Sequence, residues 1–417
     1  MRTAIILSGQ TTALGVVRSL GIMGVPVVLV HYDDQDFAQR SRFVQLSLRA
    51  PHPEHAEKEF IDFLLGCGSR FPGAVLIPAA DECLAAVSRH KELLDPHFRV
   101  ACTDWEMTRR FIDKQFTASL AESCGVPAPR TLLPRSREET RAAGRELGFP
   151  CLVKPCQSHL FYHRFGQKMV QAQSLEQLEE AFRIATEANL EVMLQEIIPG
   201  DDLEGVNYNS YIWEGKILVE FTAVHVRNAP PWFGSPRVAV SRKVPEVLES
   251  GRRLLRELGF SGYSCTEFKR DPRDGIYKLM EINGRHNLST LLAVRCGINF
   301  PWLHYRHLSE GIAPQAAEFL EEIYWIDLFR DLGYSGMYLN REQQSLADYL
   351  RPYLRPHVFA SFDYTDLGPF LKRISSLAVR TRGILFNRET ATGLRREESM
   401  RGQLAIARSR LMKGEGR

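Results

Sequence analysis

The 417-residue chain has no uninterrupted apolar run near the about 18 residues that a membrane helix needs, and its first apolar stretch, Ala4 to Leu7, is too short for a secretory core. A cytoplasmic location is therefore expected. Its eight cysteines form no CxxC pair and no His/Cys cluster at zinc spacing, so reduced thiols in packed interiors are expected rather than a disulfide framework or structural zinc. Charge of one sign is equally scarce. Lysine and arginine total 53 against 50 acids, a formal net charge of +3, which gives no bulk electrostatic case for nucleic acid or a membrane as partner. Small molecules are the expected ligands, and a second copy of the chain is kept open as a partner. No repeat or low-complexity segment appears. With 44% hydrophobic and 25% charged residues, the chain can bury more than one core.

The first hundred residues alternate short apolar runs with amphipathic stretches, the pattern of a parallel sheet flanked by helices. Strands are expected at Ala4–Leu7, Val27–Val30, Val75–Ile77 and Val100–Ala101. The turn Ser8-Gly9-Gln10-Thr11-Thr12 lacks the full GxGxxG, and no acid closes the second strand, so it reads as a tight strand-to-helix turn rather than a dinucleotide fingerprint. Asp81 and Glu82 either line a crevice at the carboxyl edge of the sheet or cap the helix Cys83–His90.

From Asp113 a second unit begins with a helix Lys114–Cys124 and the proline-marked Gly125-Val126-Pro127-Ala128-Pro129. Helices are expected at Arg137–Leu147 and Leu175–Thr186, with strands at Cys151–Lys154, Met169–Ala172 and Glu191–Glu196. A third unit is richer in antiparallel signals: Tyr208–Trp213 and Lys216–Val224, a helix Glu246–Leu258, then a hairpin of Tyr263–Lys269 and Tyr277–Ile282. The proline- and glycine-bearing segment 225–237 is expected to be irregular; because Trp232 and Phe233 would be costly on a bare surface, it is either a substrate loop with Arg227 or Arg237 facing an anion or a segment packed onto the neighbouring unit. Residues after 311 carry no interpretable motif. The tail from Arg373 has ten arginines and one lysine against four glutamates, with Leu404, Ile406 and Leu411 interspersed, and reads as a solvated helix face or a docking element.

The last hairpin is the most informative stretch. Period-two alternation puts Glu281 and Asn283 on one face, and strand pairing would bring Glu267 to it. Two carboxylates and an amide oxygen repel one another unless a cation lies between them, and all-oxygen donors suit Mg²⁺ holding phosphates. Arg285 adds a cation for a carboxylate or an oxyanion. A solvated polar hairpin is the alternative that any one of these residues alone would fit. Lys154 ends an apolar strand before Pro155 and so needs an anion, whereas Lys114 stands at a helix start that mildly disfavours a cation. The run Val192–Asp202 takes an apolar strand into a Pro-Gly stop and two acids.

This constellation closely resembles the ATP-grasp superfamily of carboxylate–amine and carboxylate–thiol ligases, over roughly residues 1 to 310. The most specific part is Thr266-Glu267-Phe268-Lys269 with Leu279-Met280-Glu281-Ile282-Asn283-Gly284-Arg285, and D-aspartate ligase-like proteins are the nearest subset. The resemblance implies an α/β fold: a doubly wound N-terminal domain over 1–112, a nucleotide-binding lid over 113–204, an antiparallel catalytic subdomain over 205–312 and an extension over 313–417. It implies that Lys114 and Lys154 hold ATP phosphates, that Gln195, Glu196 and Ile198 meet adenine (the last two through backbone), and that Asp202 takes the ribose. Glu267, Glu281 and Asn283 would bind two Mg²⁺ ions, with Mn²⁺ as a substitute, and Arg285 the reacting carboxylate or acyl phosphate. The implied reaction couples a carboxylate and an amine of amino-acid or peptide class through an acyl phosphate. A biotin-carboxylase-like enzyme and a non-catalytic ATP-binding regulator are the alternatives. One departure stands out: the loop 155–168 has a single glycine where the family has a glycine-rich cover. Either Arg164 and Lys168 replace backbone donors to phosphate, or the loop meets substrate with its aromatic residues.

Overall fold

The computed structural model describes residues 1–156, 169–231, 234–341 and 345–386, with side chains for all but 114, 337, 340–341 and 378–386. Three sheets organise it. The first contains β1 (Ala4–Leu7), β2 (Val27–His31), β3 (Val44–Arg49), β4 (Ala74–Pro78) and β5 (Phe98–Val100) in the order β3-β2-β1-β4-β5. All pairs are parallel. The helix Thr11–Gly21 covers one face, and the helices Glu57–Arg70 and Asp81–Arg89 the other. That is why β1, β2 and β4 are buried at every position instead of alternating. The doubly wound expectation holds. The strand β3, with intermediate or exposed side chains, was not legible because its Gln45, Ser47 and Arg49 break the apolar run. Gly9 is required at the first turn: a Cβ there would lie 2.3 Å from the Asp36 side chain.

The second sheet is antiparallel, in the order β6 (Thr131–Leu132), β9 (Val192–Glu196), β7 (Cys151–Pro155), β8 (Val170–Ala172). Its helix Arg137–Leu147 begins at Ser136, whose side chain accepts the Glu139 N–H at 3.1 Å, and ends at Gly148 with φ +74°. Such a cap stabilises a helix by about 1 kcal/mol. Together with the helix Leu175–Glu187, it closes a small core over Cys151, Val153, Leu178 and Leu194.

The third sheet has seven strands, in the order β14 (Tyr277–Asn283), β13 (Gly262–Arg270), β10 (Gly205–Trp213), β11 (Lys216–Ala229), β12 (Ser235–Ser241), β15 (Tyr324–Ile326), β16 (His357–Phe359). Two corrections follow. Residues 225–229 and 235–237 are strand rather than irregular loop, since β11 and β12 pair from Ala223–Ser241 to Ala229–Ser235, with bulges absorbing the irregular spacing. Backbone pairing across two long strands overrides the local effect of Pro236. The C-terminal residues add β15 and β16 to this same sheet.

Arg227 and Arg237 follow the packing reading rather than the substrate one. Both are fully buried. Arg227 donates to Asp331 at 2.9 and 2.8 Å, and Arg237 donates to Asp331 at 2.9 Å. The Tyr349 ring lies 4.6 Å from the Arg227 guanidinium carbon and the Tyr334 ring 5.6 Å from that of Arg237. The anion they face is a carboxylate of this chain, on the helix Leu328–Gly333, and in this conformation they do not meet a solvent-borne substrate. Trp232 and Phe233 lie outside the described residues, as do Arg164, Lys168 and the tail residues Leu404, Ile406 and Leu411.

The C-terminal residues also reach the first sheet. Asp366 accepts from Arg18 at 2.9 Å, from the Ser41 hydroxyl at 2.7 Å and from the Arg42 N–H at 2.8 Å. All eight cysteines are free thiols, as expected. No described helix is long and apolar enough to cross a membrane. Replacing Asp331 by Ala would leave two buried guanidinium groups without their carboxylate, so a loss of about 3–5 kcal/mol is expected. Denaturant unfolding of the variant against the parent checks this.

Candidate active site

The edge strand β14 and its neighbour β13 carry one wall of the site. Their register sets Cys265 opposite Asn283 and Glu267 opposite Glu281, then slips by a bulge so that Phe268 faces Leu279. Residues of equal parity share a face, so Glu267, Glu281 and Asn283 lie together on one side of the sheet. The Asn283 side-chain amide donates to Glu267 at 3.4 Å. Glu281 is exposed, and the other two are partly exposed. Two carboxylates placed directly across a strand pair are destabilising on their own, and an all-oxygen set of this kind fits a hard divalent cation.

On β10, Asn207 stands in register with Glu267, and its side-chain oxygen lies 2.9 Å from His225 Nε2. Burial and then Lys269 push the His225 imidazole down to about 4, so it is neutral at pH 7. Asn207 and His225 were not picked out in the sequence. The signal was present as asparagines at alternate positions, 207 and 209, of an otherwise apolar strand.

The tip of the hairpin is braced by charge. Asp271 accepts from Arg273 at 2.5 Å and from Lys278 at 2.6 Å. Arg273 also reaches Glu196 at 3.3 Å, which ties the hairpin to the end of β9. Its bonds from Arg273, opposed by desolvation and aided by Lys278, hold the Asp271 carboxyl well below the usual carboxylate range.

The second sheet supplies the opposite wall. Lys154 at the end of β7 is almost buried, and its ammonium donates to Gln195 at 2.5 Å; the Gln195 amide donates in turn to the Thr131 hydroxyl at 2.9 Å. Lys154, Gln195 and Thr131 line the same cleft as Met193, Phe111, Leu279, Met280 and Glu281. A lysine and a carboxylate, read separately from strands about 130 residues apart, therefore face one another across a partly apolar slot.

The remaining candidates divide. The Glu196 side chain is committed to Arg273 and to the Arg130 N–H at 3.0 Å, and its own N–H donates to the Arg130 carbonyl at 3.0 Å. The Ile198 carbonyl accepts from Lys269 at 3.0 Å. An adenine contact by these two residues would use their other backbone groups. Asp202 is buried and accepts the Asn228 N–H at 2.6 Å, so a ribose would compete with a bond that pins β11. Lys114 opens the helix Lys114–Ser123, which Asp113 caps through the Gln115 N–H at 2.9 Å; the Lys114 side chain lies outside the described residues. Arg285, two residues beyond Asn283, lies against the first unit and donates to Asp81 at 2.6 and 2.7 Å. Asp81 and Glu82 occupy the first turn of their helix without a side-chain cap bond, and Glu82 accepts from the Tyr32 hydroxyl at 2.5 Å.

A doubly wound sheet, a small antiparallel sheet and a larger, mainly antiparallel one, with a lysine wall facing a carboxylate wall, define the ATP-grasp class of fold. Solved structures agree: the L-amino acid ligase of Bacillus licheniformis superposes with a TM-score of 0.58 at 17% identity over 74% of each chain. An N5-carboxyaminoimidazole ribonucleotide synthetase superposes at 0.60 and 16%, over 81% of this chain and 85% of that one. Among curated sequences, the D-aspartate ligase of Enterococcus faecium is 28% identical over 272 residues, 62% of this chain and 61% of that protein. A D-alanine–D-alanine ligase of Ectopseudomonas mendocina is 24% identical over 48% of this chain and 66% of its own length. No family model matches. The fold is of the ATP-grasp class and the sequence is similar to carboxylate–amine ligases; the chain spans about three-fifths of the length of the D-aspartate ligase that it matches.

Because the folded Asp271 carboxyl titrates below its unfolded value near 3.9, its contribution is complete above about pH 4 and fades as the pH falls from there. The melting temperature of the parent should therefore drop more steeply below pH 4 than that of Asp271→Asn, which should be less stable at pH 7. Thermal unfolding across this pH range measures both.

Proposed function

We propose that this chain is an ATP-dependent ligase that phosphorylates a carboxylate and joins it to an amine, releasing ADP and phosphate. The observation that carries the reading is that Lys154 and Glu281 line one and the same cleft, with Glu267 and Asn283 on the same sheet face as Glu281. Lys154 would hold phosphate oxygens through a charge-assisted bond, exchanging its present partner Gln195 for a stronger one. Glu267, Glu281 and Asn283 would hold Mg²⁺, which when bound neutralises charge developing on the transferred phosphoryl group. Arg285 would receive the carboxylate oxygens and stabilise them as they become an acyl phosphate. The amine then attacks the acyl carbon, the carbon–oxygen bond to phosphate breaks, and the amine loses its proton.

The relatives in sequence act on amino acids by name, which favours substrates of amino-acid or peptide class. Bicarbonate activation is the second reading, because a biotin carboxylase of Campylobacter jejuni superposes at a TM-score of 0.60; at 14% identity that likeness speaks for the fold alone.

Purified protein given Mg²⁺, ATP and a panel of acids should release ADP with the correct acid, and hydroxylamine should trap it as a hydroxamate without the natural amine. Oxygen-18 in the acid should appear in phosphate. Turnover dependent on bicarbonate alone would replace the ligase reading with the carboxylase one. Glu281→Gln should abolish turnover while the melting temperature stays near the parent's. Lys154→Ala should weaken a non-hydrolysable ATP analogue by about 10- to 100-fold in calorimetry, the scale of one lost charge-assisted bond.

A further inference from the structure

Arg285 is held from outside its own hairpin. Its Nε donates to Asp81 Oδ1 at 2.6 Å and its Nη2 to Oδ2 at 2.7 Å, while Nη1 donates to the His286 carbonyl at 3.2 Å. Asp81 opens the helix Asp81–Arg89, so the carboxylate comes from the N-terminal unit, 204 positions away in sequence. A guanidinium has five N–H donors in a rigid plane, and a bidentate carboxylate fixes that plane. These three bonds leave one N–H on each terminal nitrogen for a further acceptor.

Stability alone explains the pair poorly. The Asp81 side chain is 61% exposed, and a pair in such a position contributes little to folding. It stands at the carboxyl edge of the first sheet, next to β4, where open α/β sheets receive ligands. The adjacent Glu82 is engaged by Tyr32 and would not take over.

We infer that Asp81 is a positioning residue: it orients Arg285 so that the outer edge of the guanidinium meets the carboxylate to be phosphorylated, which lets the N-terminal unit set acceptor geometry without touching ATP. The inference rests on the ligase reading above. In Asp81→Ala, affinity for a non-hydrolysable ATP analogue with Mg²⁺ should stay at the parent's value, while kcat/KM for acid-dependent hydroxamate formation falls by about tenfold or more. Asp81→Glu should recover part of it. The double variant Asp81→Ala with Arg285→Ala should be no worse than Arg285→Ala, since the two residues act as one unit. Asp81→Asn serves if the alanine variant does not fold.

A second readout needs no substrate. Phenylglyoxal should modify Arg285, followed by peptide mass spectrometry, faster in Asp81→Ala than in the parent. Equal labelling rates, unchanged kinetics, or losses that add in the double variant would each overturn the inference. A parent protein that binds Mg²⁺ and ATP but traps no acid defeats the ligase reading instead, and the labelling rate then decides the orientation of Arg285 without it.

Discussion

Two carboxylates held in register across one strand pair are the constraint on which the rest of this molecule turns. Glu267 and Glu281 oppose each other on β13 and β14 at the edge of a seven-stranded sheet, where like charges cost stability. A fold keeps such a pair only if the strands are braced by other means. The bracing is twofold: the Asp271, Arg273 and Lys278 cluster closes the tip of the hairpin, and apolar packing of Phe268 and Ile282 fills the opposite face. Stability is thus supplied on one face so that the other can carry concentrated negative charge.

Around this edge, the remaining units act as walls and struts. The small sheet brings Lys154 and Gln195 across the cleft, and the Arg273 to Glu196 contact links the two walls. Asp366 gathers Arg18, Ser41 and Arg42 of the first unit, while Asp331 gathers Arg227 and Arg237 of the large sheet. Buried arginine–aspartate contacts of this geometry hold parts in one relative orientation more than they add net stability, because desolvation consumes most of the Coulombic gain. The C-terminal residues therefore fasten the first unit to the large sheet, and Arg285 can reach Asp81 across that seam.

Much of this was legible along the chain. The helix Arg137–Leu147 was read to the residue, and most strands to within one to four positions, because apolar periodicity and Gly or Pro stops are local signals. Alternation placed Glu281 and Asn283 on one face, and the expected hairpin pairing brought Glu267 to it. Misreadings share one cause. Pro230, Pro231, Gly234 and Pro236 suggested a loop, yet pairing with β11 extends β12 from Ser235, an outcome decided by a neighbour rather than by the segment. Asn207 and His225 were overlooked because a buried polar residue declares its partner only once the strands are aligned.

Local order thus followed from residue spacing: which stretches are strands, which face of the hairpin is charged, and that an oxygen-rich site needs a cation. Partnership did not. That Arg227 and Arg237 serve Asp331, that Glu196 serves Arg273, and that Arg285 is held by Asp81 depends on side chains about 80 to 200 residues apart meeting at distances near 3 Å. An arginine in a sequence announces a need for an anion, since a buried charge without one is too costly to keep. Whether that anion is the protein's own or a ligand's is set by which carboxylate the packed sheets and helices bring within reach.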